Sequence, residues 1–193
     1  MKPMKGKTKS LVFSALFAAL SCVVTYVFII PLPYGYLNVG DIVVLLAGWC
    51  LGGIYGGVAA AIGSALADIL SGFAVYAPAT FIIKGLVAFS AYYLYAFFKK
   101  IFPWEKLGVF PRVFAAVIAE ALMILGYFLY ECALYKIGGA VASLFGNAMQ
   151  GICCAIGGVA LISAMYPVSA VRRCFPALKC FQEGEAPVKE EEK

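Results

Sequence analysis

The side chains able to do chemistry in this chain are few, and most of them interrupt apolar runs. Asp41, Asp68, Lys84, Glu120 and Glu131 each sit in or at the edge of an otherwise greasy stretch. Their neighbours recur with helical spacing. Glu120, Ile124, Tyr127 and Glu131 fall at i, i+4, i+7 and i+11, which is one stripe of a helix. Ser143, Asn147, Gln150 and Cys154 make a second stripe, and Thr80–Lys84 and Ser64–Asp68 are each one turn apart. An ionisable group in hydrocarbon is costly, so each one marks a candidate site that faces a shared interior. The chemistry these residues suit is recognition. There is no histidine, no phosphate-cradling lysine loop, no nucleophile elbow and no HExxH run, so the expectation is a protein that is not an enzyme and holds no cofactor or metal. The seven cysteines fall mostly within apolar runs and none forms a CxxC pair; they read as small core residues.

Elements that position such residues must lie in lipid. Of the 193 residues, 64% are hydrophobic and 13% charged, where a soluble domain carries about a quarter charged. Mean hydropathy is +0.94. The expectation is an integral membrane protein with no separate soluble domain. The net charge of +5 does not indicate nucleic acid, because the basic residues flank apolar runs as membrane topology requires. The basic N-terminus runs into an apolar stretch long enough to span, with no clear small-residue cleavage site, so it reads as a first transmembrane helix rather than a signal peptide.

Six spans are predicted: Ser10 to Ile30, stopped by Pro31 and Pro33; Asp41 to Leu51, ended by "GGIYGG"; Val58 to Ser71; Pro78 to Phe98; Val113 to Leu134; and Ala140 to Tyr166, broken by Pro167. Lys2, Lys5, Lys7 and Lys9, then Lys99, Lys100, Lys106 and Arg112, then Arg172, Arg173 and Lys179 fall on one side. Only Lys136 falls in a loop on the other, so both termini are expected in the cytoplasm. The chain then divides into a membrane domain, 1–170, and a polar cytoplasmic tail, 171–193, disordered at its end. On this topology the polar groups gather beneath the outer face, with Glu120 alone near the middle. A polar, outward-opening pocket is expected among the last four helices. Its candidate substrate-binding residues are Asn38, Asp41, Tyr76, Lys84, Glu120, Tyr127, Glu131, Asn147 and Gln150.

Plainer roles stand beside these. Lys84 and Glu120 could be an ion pair that pins two helices, and Asp41 could cap its helix. Asp68 could bond to loop backbone, and Asn147 and Gln150 could be interhelical glue. Tyr34, Tyr36 and Tyr135 read as an interfacial belt. None of these roles predicts that the whole set gathers on one side. In the first helix Ser14–Ala18 and Ala15–Ala19 are small-xxx-small pairs, for packing within the chain or for docking another membrane protein.

The stretches "SALFAALSCVV", "GYLNVGDIVVLLAGWCLGGIYGGVAAAIGSALADILSG", "YAPATFIIKGLVA" and "AEALMILGYFLYE" carry a resemblance. Over about residues 10 to 167 the chain resembles the S components of energy-coupling factor (ECF) transporters, the membrane subunits that bind vitamins for bacterial uptake. The resemblance implies an all-α bundle of six transmembrane helices in the bacterial cell membrane, with a pocket lined by helices four to six and gated by the first outer loop. It implies docking through Ala15 and Ala19 onto a membrane-embedded coupling subunit, with two cytoplasmic ATPase subunits and toppling of the S component during transport. The substrate it implies is a water-soluble vitamin or precursor, similar to pyridoxine, hydroxymethylpyrimidine or riboflavin. Two other classes compete. One is an ion-coupled carrier working alone through Asp68, Lys84 and Glu120, although no inverted repeat or pair of broken helices is visible. The other is a membrane scaffold that transports nothing.

Overall fold

A computed structural model describes residues 6–31, 36–102 and 108–179. Lys2, Lys5, Tyr34, Lys106 and the tail from Cys180 lie outside the described residues. Helix α1, Gly6–Val27, stops short of the predicted Ile30. The β-branched pair Ile29 and Ile30 leads instead into a strand, β1 (Ile29–Pro31), which pairs antiparallel with β2 (Tyr36–Asn38), Ile29 opposite Asn38. This hairpin was not expected from the sequence. It ends on Asn38, whose Oδ1 accepts the Gly40 N–H at 2.7 Å and so turns the chain into α2.

Helix α2, Gly40–Leu51, is the centre of the molecule: all of its twelve residues except Ile42 and Leu51 are buried. At ~1.5 Å per residue it is shorter than a bilayer core. It packs against α1, α3 (Gly53–Leu70), α4 (Ala77–Ile101) and α5 (Val109–Met165). The "GGIYGG" stretch does not end the second span as a loop. Only Gly52, at φ +89°, breaks the helix, and α3 starts at the next residue, five before the predicted Val58. The later glycines serve contact. A Cβ on Gly56 would strike the Ala47 carbonyl, and one on Gly57 would stand 3.1 Å from the Gly85 oxygen. Small residues let α2, α3 and α4 approach to backbone contact.

Helix α5 is two helical arms that meet at a break at Lys136, at φ 60° and ψ 178°. Its two arms fold back on each other: Ser143 donates to Glu131 across the break, and a Cβ on Gly151 would stand 3.3 Å from that of Glu120. The arms correspond to the predicted fifth and sixth spans. α1, α3, α4 and α5 are each long and apolar enough to cross a membrane. Their outer faces carry exposed Leu16, Ile82, Leu86, Val117, Leu125, Ile152 and Ile156, which is the surface a bilayer requires.

Two short helices follow, α6 (Ser169–Cys174) and α7 (Pro176–Lys179). Phe175 lies edge-on to Phe13 at 4.9 Å and Phe17 at 5.9 Å, and Leu178 is fully buried. Packed structure therefore continues past residue 170 to 179. Near this end Arg112 departs from its expected place among loop charges. It lies in the first turn of α5, fully buried, with its guanidinium 4.5 Å from the Tyr166 ring centroid and 5.1 Å from that of Tyr95.

Candidate substrate-binding site

The polar side chains converge at the opposite end of the bundle, below the hairpin, the α3–α4 turn and the Lys136 break. They surround about 430 Å³ of free space, its open mouth included, lined by Asn38, Tyr76, Lys84, Tyr127, Glu131, Asn147 and Gln150 together with Thr25, Ser64, Asp68 and Thr80. Seven of the nine predicted site residues are in this lining. Asp41 and Glu120 are not; they lie behind it.

The floor is a closed network. Lys84 Nζ donates to both Asp41 oxygens, at 2.6 Å each, and the two side chains are 3% and 0% exposed. Gln150 Nε2 donates to Asp41 Oδ2 at 2.6 Å, while Gln150 Oε1 accepts the Asn38 backbone N–H at 2.9 Å. One chain of hydrogen bonds thus joins α4, α2, the second arm of α5 and β2. This corrects two of the plainer roles. Asp41 does not cap α2, which has no side-chain cap; Asn38 supplies the acceptor there. Lys84 pairs with Asp41 and not with Glu120. The physical reason is the depth of α2: on a central helix Asp41 is fully buried, and its charge is compensated by an inward lysine, with Gln150 as a second donor. Glu120 is 2% exposed, and among the described residues neither of its oxygens has a hydrogen-bond partner.

The walls are aromatic. Tyr76 flanks the start of α4, its ring centroid 6.5 Å from Tyr127, 5.8 Å from Tyr130 and 6.5 Å from Tyr135. Tyr135, expected in an interfacial belt, therefore also backs the cavity wall. Tyr130 donates to the Val75 carbonyl, which holds the α3–α4 turn in place. Tyr127 and Thr80 share a hydrogen bond of 2.9 Å. Burial first, then the Tyr135 hydroxyl and the Glu131 carboxylate, keep the Tyr76 phenol above its ordinary pKa. It stays protonated and donates to Glu131 Oε1 at 3.4 Å. Ser143 donates to the other oxygen of Glu131.

The cavity is wider than expected: besides Ser64 and Asp68 of α3, which belong to the third predicted span, it reaches Thr25 of α1. Thr25 went unnoticed in the sequence. Its signal is the buried face Ser14, Phe17, Ser21, Thr25, continued by a 3.2 Å hydrogen bond from Ser21 to Ser64. The two small-residue pairs of α1 separate. Ser14 is buried and the Ala18 carbonyl meets Gly63 of α3, whereas Ala15 and Ala19 are exposed on the outer face.

Comparison with known proteins follows the same lines. A family model described as the S component of the ECF-type riboflavin transporter matches residues 5–167. A protein of Pyrococcus woesei, described as an uncharacterized protein in a gap 3′ region, is 34% identical over 126 residues, 64% of this chain and 77% of that one. Two solved structures share the fold. The S component of a bacterial ECF transporter superposes with a TM-score of 0.66 at 21% identity, covering 83% of this chain and 97% of that one. The biotin S component of an ECF-type ABC transporter gives 0.62 at 17% identity, covering 90% and 100%.

Proposed function

We propose a function from one premise: the chain belongs to the family of ECF-type riboflavin transporter S components. In this reading it is the substrate-binding membrane subunit of an importer. α1 to α4 and the two arms of α5 are six transmembrane segments with both termini in the cytoplasm, and the cavity opens outward. It captures a water-soluble vitamin or precursor, a small polar ring, and hands it on with a membrane-embedded coupling subunit and two cytoplasmic ATPases. Ala15 and Ala19, exposed on α1, form the docking face for the coupling subunit.

One observation carries the reading. Polar residues from α1, β2, α3, α4 and both arms of α5 meet around a single cavity within otherwise apolar helices. A scaffold has no need of that convergence, because each intramembrane polar group is costly. The tyrosines can stack on a flat ring. Asn38, at the end of β2, lines the cavity and is tied to Gln150, which suits a gate.

The test is to purify the protein from cells, denature it and identify what is released, then measure uptake in vesicles. A vitamin-like ring should be released, and uptake should require the ATPase partners. Uptake by the chain alone under an ion gradient would favour a carrier. No released molecule, with no thermal shift across a vitamin panel, would favour a scaffold.

A further inference from the structure

The cavity is narrow as it stands. Apart from its mouth and the crevices between side chains, its volume is about 30 Å³, room for about two or three water molecules at about 10–15 Å³ each. Pockets that hold a small-molecule ligand take about 300–1,000 Å³. A wall must therefore move before a ring can enter, and the second arm of α5 is the wall least firmly held. Between the Lys136 break and Asn147 its buried positions are Gly139, Ala140, Ser143, Gly146 and Asn147, while Ile137, Val141, Leu144 and Phe145 are exposed on its outer face. No large apolar side chain ties this stretch to the bundle, and segments with few buried apolar contacts open at low cost. Below Gly151 the same arm is fixed: Cys154 and Ile162 are fully buried, and a Cβ on Gly158 would stand 3.0 Å from Leu45 Cδ1.

The stretch has a pivot and a latch. Lys136, at φ 60° and ψ 178°, occupies a region that glycine alone adopts without strain, and such a residue persists only where its surroundings hold it. Glu131 of the first arm does the holding. Ser143 donates to its carboxylate across the break, Asn147 lies beside it one turn further on, and Tyr76 donates to it from the α4 side at 3.4 Å. Glu131 and Tyr76 both line the cavity, so a molecule that enters meets the latch itself. We propose that residues 137–147 are a gate, which pivots at Lys136, is latched by Ser143 on Glu131, and parts from the first arm to admit a small ring to the cavity. The inference deepens, and rests on, the reading of this cavity as the substrate site of an S component.

The experiment measures entry into the cavity without a substrate. Thr80→Cys places a thiol on the cavity lining at a position 2% exposed, and Ser64→Cys is a second reporter on another helix, 1% exposed. The full chain in lipid nanodiscs is treated with a methanethiosulfonate that carries a trimethylammonium group. Mass spectrometry, peptide by peptide, separates the reporter thiol from the native cysteines. Ser143→Ala removes the latch donor and should speed modification of both reporters at least about fivefold. Lys136→Gly relieves the strain of the closed arm and should slow it at least about threefold; the opposite signs exclude general loosening as the cause of both. A rate that Ser143→Ala leaves unchanged, or that Lys136→Gly leaves unchanged or raises, would overturn the gate. So would faster modification in Gln150→Leu, which frees the hairpin at Asn38, with none in Ser143→Ala. Failure on these rates leaves the S-component reading intact. No molecule released from the denatured protein would overturn that reading, and with it the gate's role in admitting substrate, whatever the rates.

Discussion

Replacing Lys84 with methionine tests the floor of the cavity most directly. The ammonium contacts both oxygens of an aspartate with no exposed surface, at 2.6 Å each. Removing it leaves Asp41 with Gln150 Nε2 as its remaining hydrogen-bond donor among the described residues. Breaking one side of a buried ion pair costs about 3–5 kcal/mol, because the other charge stays buried. For a chain of this size each kcal/mol moves Tm by about 2–4 °C, so Lys84→Met should lower it by roughly 6–20 °C. The double variant Asp41→Asn/Lys84→Met should recover most of the loss. It removes both charges, and the new amide oxygen still accepts from Gln150.

Thermal unfolding in detergent, followed by tryptophan fluorescence, can read this, since Trp49 is fully buried in α2 and its Nε1 donates to the Ala91 carbonyl at 3.1 Å. The control is Glu120→Gln/Lys84→Met. If Lys84 belonged to Glu120, that pair would be the one to recover. The expectation is a coupling of about 2 kcal/mol or more for Asp41 with Lys84, and a clearly smaller one for Glu120 with Lys84. Additive losses in the Asp41 cycle, or rescue by the Glu120 variant, would refute the assignment of the pair.

Three further outcomes follow from other contacts. Gly63→Ala should destabilise by about 1–3 kcal/mol in the same unfolding assay, since its Cβ would strike the Ala18 carbonyl and stand 2.8 Å from Ser21 Cβ; Gly138→Ala, with nothing within 4 Å, should be neutral or mildly stabilising. Gln150→Leu removes the acceptor of the Asn38 N–H, and an unsatisfied buried donor costs about 1–3 kcal/mol, so amide exchange in the hairpin should accelerate about tenfold, read by hydrogen-exchange mass spectrometry. Ala15→Leu/Ala19→Leu, on the exposed face of α1, should leave Tm and ligand affinity unchanged while ATP-driven uptake with the coupling subunits falls at least tenfold.

What could be read in the sequence depended on how local the governing energy is. The cost of a charge in lipid belongs to the residue itself, so Asp41, Lys84, Glu120 and Glu131 stood out without any knowledge of their neighbours. Helical stripes are nearly as local, and Tyr127, Asn147 and Gln150, which they single out, line the cavity. Partner choice is not local. Whether Lys84 meets Asp41 or Glu120 depends on how deeply α2 sits, and that depth is set by glycines whose role is easily misread. Gly56 and Gly57 looked like chain breakers, yet they remain helical and admit neighbouring backbones at contact distance. The same error hid Thr25. With α2 taken as one span among six, nothing drew α1 to the cavity; with α2 central, a Cβ on Gly40 would collide with Thr25 Oγ1, and the end of α1 is forced against the hairpin and the cavity wall. Arg112 is the converse case. Counted by position it is a loop charge, but its planar cation can stack between Tyr95 and Tyr166 and so enter the protein interior, which a lysine ammonium does less well. Charge counting along a membrane chain therefore reads lysines more safely than arginines, and the lysine clusters are the sounder basis for the proposal that both termini are cytoplasmic.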